Sequence, residues 1–255
     1  MAYRARMHDD QIALQLYTVR REAASDLSGT LDAVARAGYR HVEVAGLPDL
    51  PAATLAGQFA AAGLSVVAAH EGIDVLRADA DGVIERMATI GSPRLVVPWM
   101  PDADRATADD VRRFAAELNA LAQRAKAAGL RFAYHNHSFE FAELDGTTIW
   151  DVLLTESSPD VDLEIDVYWA AGGGRDPVEL IRSATGRVKM LHMKDRGPGP
   201  AFADAPAGEG TLDFPAIVQA GRAAGVEWYI AEQDDATSPL EDIATALRYL
   251  RSLAA

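Results

Sequence analysis

His135, Asn136, His137 and Glu140 lie within one short run, Tyr-His-Asn-His-Ser-Phe-Glu-Phe, at residues 134–141. The apolar stretch 130–133 before it reads as the start of a buried strand. Strand side chains alternate, so His135 and His137 point to one face, and ligand-type residues at a strand end suggest a site rather than core. Farther along, Glu164 and Asp166 share parity in Leu-Glu-Ile-Asp, and His192 and Lys194 share parity in Leu-His-Met-Lys-Asp. Glu232 ends the apolar run 228–231. An Asp, a His and a Glu on three successive strands would converge at one mouth. Mixed carboxylate and imidazole donors without a thiolate suit one divalent ion, Mn²⁺, Mg²⁺, Co²⁺ or Zn²⁺.

The elements that must position these residues recur as one unit: an Ala-rich amphipathic helix, a glycine, then a short apolar strand. Gly38, Gly63, Gly91, Gly129, Gly186 and Gly225 mark the junctions, each supplying the left-handed residue that stops a helix. Strands are expected at 41–44, 64–69, 94–97, 131–135, 188–192 and 228–231, with two more at 12–16 and 161–167. Eight strands, each followed by a helix, favour a (β/α)8 TIM barrel over an open doubly wound sheet. No linker or charge block divides the chain, so residues 1–255 read as a single domain. Nearly every strand then ends in a reactive side chain: Gln15, Glu43, His70, Trp99, His135 with His137, Asp166, His192 with Lys194, and Glu232 with Asp234. The opposite ends show no such enrichment, and this asymmetry points to an enzyme. Residues 196–210, rich in Gly, Pro and Ala, read as a long loop over the site.

The formal charge of −14 and the absence of a basic patch argue against nucleic acid or an anionic membrane as partner. With no cysteine, disulfides and thiolate metal sites are excluded. No apolar run reaches transmembrane length and residues 1–10 carry no apolar leader core, so a cytoplasmic protein is the default expectation. A small neutral or keto substrate, or a cation, fits the charge better, and the sequence leaves a homo-oligomer open. The letters His-Asn-His invite a nuclease reading, but that motif is spread over a ββα unit and this is one strand. No HExxH, nucleophile elbow, P-loop or dinucleotide fingerprint occurs.

The segments 14–20, 134–141, Asp166-Val-Tyr-Trp, Leu191-His-Met-Lys-Asp and Gly208-Glu-Gly resemble the sugar phosphate isomerase/epimerase family across essentially the whole chain, in order. The resemblance implies a xylose isomerase-like TIM barrel, with ketose 3-epimerases, inosose isomerases and dehydratases, and dehydroshikimate dehydratase as relatives. It implies a metal held by Glu, Asp, His and Glu from strands five to eight. Asp166, His192 and Glu232 match the last three positions, whereas His135 stands where the first Glu is usual. Either His135 is itself the ligand or Glu140 reaches back from the loop; hard cations favour oxygen, so Glu140 is the first expectation, which would leave His135 for the substrate. Trp169 stands where the epimerases tend to carry a substrate-binding His. His137 and Lys194 occupy positions of the dehydratases' His and Lys.

The expected chemistry is α-proton abstraction from a keto-sugar or keto-polyol. A metal that chelates adjacent carbonyl and hydroxyl oxygens acidifies that proton and stabilises an enediolate. Glu232 would serve as one base and His135 or His137 as the second group, with Lys194 neutralising the oxyanion. Glu43, His70, Trp99, Trp169 and Arg196 are the expected substrate-binding residues. Isomerisation or epimerisation is the first expectation, and elimination by a metal-dependent lyase or dehydratase of inosose or keto-glycoside type is the alternative. A metal-dependent hydrolase and a non-catalytic sugar-binding protein are the weaker rivals.

Overall fold

Parallel pairing runs all the way round the sheet. The strands are β1 (Ile12–Gln15), β2 (His41–Val44), β3 (Ser65–His70), β4 (Arg94–Val97), β5 (Arg131–His135), β6 (Val161–Asp166), β7 (Val188–Met193) and β8 (Trp228–Ala231). They neighbour one another in chain order, and β8 closes onto β1. The computed structural model describes residues 7–199 and 203–254. Around the barrel lie α1 (Arg20–Ser25), α2 (Leu27–Ala37), α3 (Ala52–Ala62), α4 (Ile73–Ile90) and α5 (Ala108–Ala127). The circuit continues with α6 (Ile149–Glu156), α7 (Val167–Gly172), α8 (Pro177–Ser183), α9 (Phe214–Ala224) and α10 (Pro239–Ala254). This is the expected (β/α)8 fold. No described helix is long and apolar enough to cross a membrane.

All six junction glycines adopt positive φ, between 69° and 110°. Four of them cap α2, α3, α4 and α9 directly. The strand limits differ from the sequence expectation by a residue where a side chain ends the strand. β1 stops at Gln15 because its side chain accepts from the Tyr17 amide and opens a 3-10 turn. β6 stops at Asp166, which caps α7 by accepting from the Trp169 amide. β3 begins and ends one residue later than expected, so that His70 is its last member.

Alternation sorts the barrel interior into layers. Ala13, Ala68, Val96, Ala133, Met190 and Ile230 belong to one compact apolar cluster inside the barrel. Two residues beyond five of these come Gln15, His70, His135, His192 and Glu232, so the same period-two rule that fills the middle points polar groups at the mouth. Beneath the apolar layer Arg131 pairs with Asp162 and Glu227, each at 2.7 Å, and Arg94 also pairs with Glu227. This end of the barrel is closed by ions that come from residues at strand starts.

The loop after β7 is less irregular than expected. Asp195–Arg196 pairs antiparallel with Asp204–Ala205, while residues 200–202 lie outside the described residues. The buried Asp195 carboxylate accepts from the amides of Arg196, Gly208, Gly210 and Leu212 at 2.8–3.1 Å. A Cβ on residue 210 would stand 2.2 Å from Asp195 Oδ1, so only glycine fits there. The Gly208-Glu209-Gly210 sequence is therefore half of a loop staple.

Candidate active site

His192 sits fully buried at the centre of the mouth, with a carboxylate on each ring nitrogen. Its Nε2 lies 2.7 Å from Glu43 Oε2 and 3.3 Å from Glu164 Oε2, and its Nδ1 lies 2.9 Å from Glu232 Oε2. On the Nε2 side, His70 Nε2 is 2.8 Å and His135 Nδ1 is 3.1 Å from the same Glu164 oxygen. Gln15 donates to Glu43 at 2.7 Å. On the Nδ1 side, Asp166 Oδ2 is 3.9 Å away. Two ligand groups result, sharing one imidazole: Asp166, His192 and Glu232 on the outer side, and His70, His135, Glu164 and His192 on the inner side.

The outer group has an unfilled requirement. Asp166 Oδ2 is buried without a hydrogen-bond partner, and buried polar atoms are nearly always paired. Burial pushes the Asp166 carboxyl up to about 7, against the pull of Lys194 and with help from Glu232. Glu232 is held well below the usual carboxylate range; burial opposes this, but Lys194 and His192 prevail. Lys194 is itself buried, with Nζ 3.3 Å from Glu232, 3.6 Å from Asp166 and in contact with Asp234. Burial would lower its pKa, but these carboxylates hold it above the ordinary value. His192 is likewise raised by Glu164, Glu232 and Glu43 despite its burial.

The histidines on β5 behave oppositely. Burial and the neighbouring His192 lower His135 to about 4. Burial, His135 and Lys194 lower His137 to about 2, and its buried Nδ1 has no hydrogen-bond partner. Both are neutral imidazoles at physiological pH. His70, between Glu43 and Glu164, is pushed up to about 10 although burial alone would lower it.

A cavity of about 560 Å³ opens above these groups. Of the residues singled out in the sequence, His70, Trp99, His135, His137, Trp169, Lys194, Glu232 and Asp234 line it. Glu43 lies beneath, buried against His192 and Gln15. Arg196 is not among the described lining residues; it sits opposite Asp204 in the small hairpin.

Glu140 departs from expectation. Its carboxylate accepts from the Tyr134 hydroxyl at 2.7 Å and the His137 amide at 2.9 Å, and it belongs to neither ligand group. Tyr134 has the opposite parity to His135 and packs on Phe114 of α5, outside the barrel. Glu140 follows Tyr134 into that layer, so the structure does not bring it to the other expected ligands. Burial raises its pKa to about 7, partly offset by those hydrogen bonds.

Gln15 and Asp234, marked in the sequence only as strand-end residues, join the site, as do Glu164 and Phe139, to which no role was assigned. Glu164 carried a signal, since it precedes Asp166 by two residues on one strand. Phe139 carried none, because a loop turn brings it to the cavity. After the Gly172-Gly173-Gly174 run, the Asp176 carboxylate accepts from the Val178 and Glu179 amides that open α8. Gly173 permits close packing, since a Cβ there would lie 2.6 Å from Phe141 Cδ2.

Carboxylate, imidazole and ammonium groups are gathered at the C-terminal mouth of a (β/α)8 barrel, the face where barrels of this fold carry their active sites. The family "xylose isomerase-like TIM barrel" matches residues 31–253, and the chain belongs to that family. It is similar to an inosose dehydratase of Lacticaseibacillus casei, 29% identical over 171 residues, which covers 58% of this chain and 56% of that one. The chain thus spans about half the length of the curated relatives it matches. A sugar phosphate isomerase/epimerase from Parabacteroides distasonis superposes with a TM-score of 0.81 at 25% identity, over 96% of this chain and 95% of that chain. The IolI protein, solved with a bound zinc atom, superposes with a TM-score of 0.74 at 16% identity over 96% and 98%.

Proposed function

We propose that this protein is a divalent-metal-dependent isomerase or epimerase that removes the α-proton of a small keto-sugar or keto-polyol. The observation that carries the reading is the convergence of Asp166, His192 and Glu232, with Asp166 Oδ2 buried and without a hydrogen-bond partner. Two carboxylates and an imidazole fit a Mn²⁺, Mg²⁺, Co²⁺ or Zn²⁺ ion, and the structurally similar IolI protein holds zinc. Such an ion, when bound, polarises the sugar's carbonyl and neighbouring hydroxyl so that the α-proton becomes acidic.

The chain's own residues do the rest. Glu232, ionised and lining the cavity, takes the proton. Lys194 stays charged and offsets negative charge developing on the substrate oxygen. His137, neutral and with an unpartnered nitrogen, exchanges a proton on another side of the cavity, with His135 next to it at a ring separation of 5.0 Å. Glu43 takes the Nε2 proton of His192 as a hydrogen bond and so leaves Nδ1 facing Asp166 and Glu232. Glu232→Gln should slow exchange by about 10²–10⁴-fold.

A dehydratase is the second reading, favoured by the similarity to inosose dehydratase and by Lys194 and His137 at the cavity. NMR in D₂O with ketopentoses, ketohexoses and inososes tests both. Deuterium at the α-carbon without loss of water supports isomerisation or epimerisation, and loss of a hydroxyl moves the assignment to the lyase. A panel with neither outcome removes both readings.

A further inference from the structure

We propose that the substrate's sugar bears a second, uncharged ring, as in a glycoside or disaccharide, and that this ring rests on an aromatic shelf made by Trp99 and Phe139. The proposal rests on the enolising reading above, because it places the reacting sugar over Glu232 and Lys194.

The cavity volume of about 560 Å³ falls among sites that enclose drug-sized ligands. Its lining is divided. His70, His135, Lys194, Glu232 and Asp234 form a polar floor, while Trp99, Phe139, Trp169, Tyr17 and Pro98 form the wall. The polar floor accounts for one polyhydroxylated ring and leaves the wall without a partner of its own kind.

Trp99 is 44% exposed although it belongs to the cavity. It is held in place rather than loose: its ring meets the edges of His137 and Phe139, both at 4.8 Å between centroids. The Arg105 guanidinium lies 3.5 Å from the Phe139 centroid and 5.1 Å from that of Trp99, and is itself ion-paired to Asp102. An ordered, half-exposed aromatic surface beside a polar floor matches the amphipathic face of a sugar ring or the face of an aryl group.

The charge of the lining favours an uncharged extension over the other common one, a phosphate. Lys194 is the one Lys or Arg among the described lining residues, and Asp166, Glu232 and Asp234 surround it. The nearby Arg20 lies 3.9 Å over the Tyr17 ring, donates to the Tyr17 carbonyl and pairs with Asp235. A phosphate dianion entering here would face carboxylates already sharing their cation.

Calorimetric titration of the metal-loaded full chain tests this with four probes: D-fructose, D-fructose 6-phosphate, isomaltulose and lactulose. The first has no substituent, the second bears a phosphate, and the last two bear a second ring at different positions on the same ketose. At least one ring-bearing probe should bind tenfold or more tightly than fructose, and the phosphate should bind no better than fructose. Trp99→Ala, and independently Phe139→Ala, should bring the ratio of ring-bearing to plain affinity close to one. The proposal is overturned by tightest binding of the phosphate, by a wild-type ratio near one, by a ratio that both variants leave intact, or by no binding of any probe. Deuterium exchange into the same ketoses separates the two levels. Exchange without a ring preference sinks the shelf alone, whereas a Trp99-dependent ring preference without exchange sinks the enolising reading and leaves the shelf.

Discussion

His192 is the residue through which the inner and outer carboxylates act on one another. With Nε2 at 2.7 Å from Glu43, the imidazole is fixed in orientation before anything binds at Nδ1. Outer partners of this kind usually change metal affinity by about 10–100-fold. Glu43→Gln is therefore expected to weaken divalent-metal binding by about that factor, read by competition with a chelating dye, with circular dichroism unchanged. Unaltered affinity would show that Glu43 does not position His192. Glu140 carries a different prediction. Its folded pKa is raised to about 7 from an ordinary 4.5, so the neutral carboxyl is favoured by folding. Its stabilisation is fully present below about pH 4.5 and is lost as pH rises toward 7, where the buried group ionises. The thermal midpoint of Glu140→Gln should accordingly gain on that of wild type between pH 5 and 8; a constant difference would mean Glu140 titrates normally. At this scale, Asp166, His192 and Glu232 were legible because strand parity alone aims them inward. Glu140 was expected beside them, but its carboxylate sits on the Tyr134 hydroxyl and the His137 amide, because the outward parity of Tyr134 draws it there.

The strands and their glycines were the most legible elements. A helix that must reverse into a strand needs a left-handed residue, and every junction glycine has one. Boundaries moved by a residue where Gln15 and Asp166 turn their side chains back to cap the following turn, a local competition that periodicity does not register. Helix α7 shows what sequence patterning misses altogether. Its end packs on the turn after β5, and Gly173 makes the approach through space rather than through special φ, which is −81°. Gly173→Val would place Cβ 2.6 Å from Phe141 Cδ2 and 2.9 Å from the Ser138 carbonyl. Overpacking of this kind typically costs about 1–3 kcal/mol, so the urea midpoint should fall. Trp169 emission should shift with it, because α7 carries that residue into the cavity wall. An unchanged midpoint would mean the turn yields freely and does not brace the site.

Seen whole, the barrel is a column with ionic pairs at one end, an alanine-rich apolar layer within, and a reactive mouth at the other. The chain's charge of −14 is spread over the molecule, but the carboxylates of Glu43, Glu164, Asp166 and Glu232 are gathered at that mouth, each buried. Histidines and Lys194 offset them in part, and a divalent cation would complete the balance. The fold was readable because eight repeats of one unit admit few closures. The layout of the cavity was readable only in part: Trp99 and Asp234 follow strand ends that the sequence marks, but Phe139 arrives on a loop turn whose path depends on packing. The most direct measurement is the rate of α-carbon deuterium exchange into a keto-sugar that wild type turns over, followed by NMR alongside metal content per chain. Wild type should carry close to one divalent ion and catalyse exchange, lose exchange when stripped by a chelator, and regain it on reloading. Asp166→Asn, folded by circular dichroism, should carry no ion and catalyse no exchange. Full exchange by the stripped protein, or an Asp166→Asn variant that keeps both its ion and its rate, would contradict the assignment.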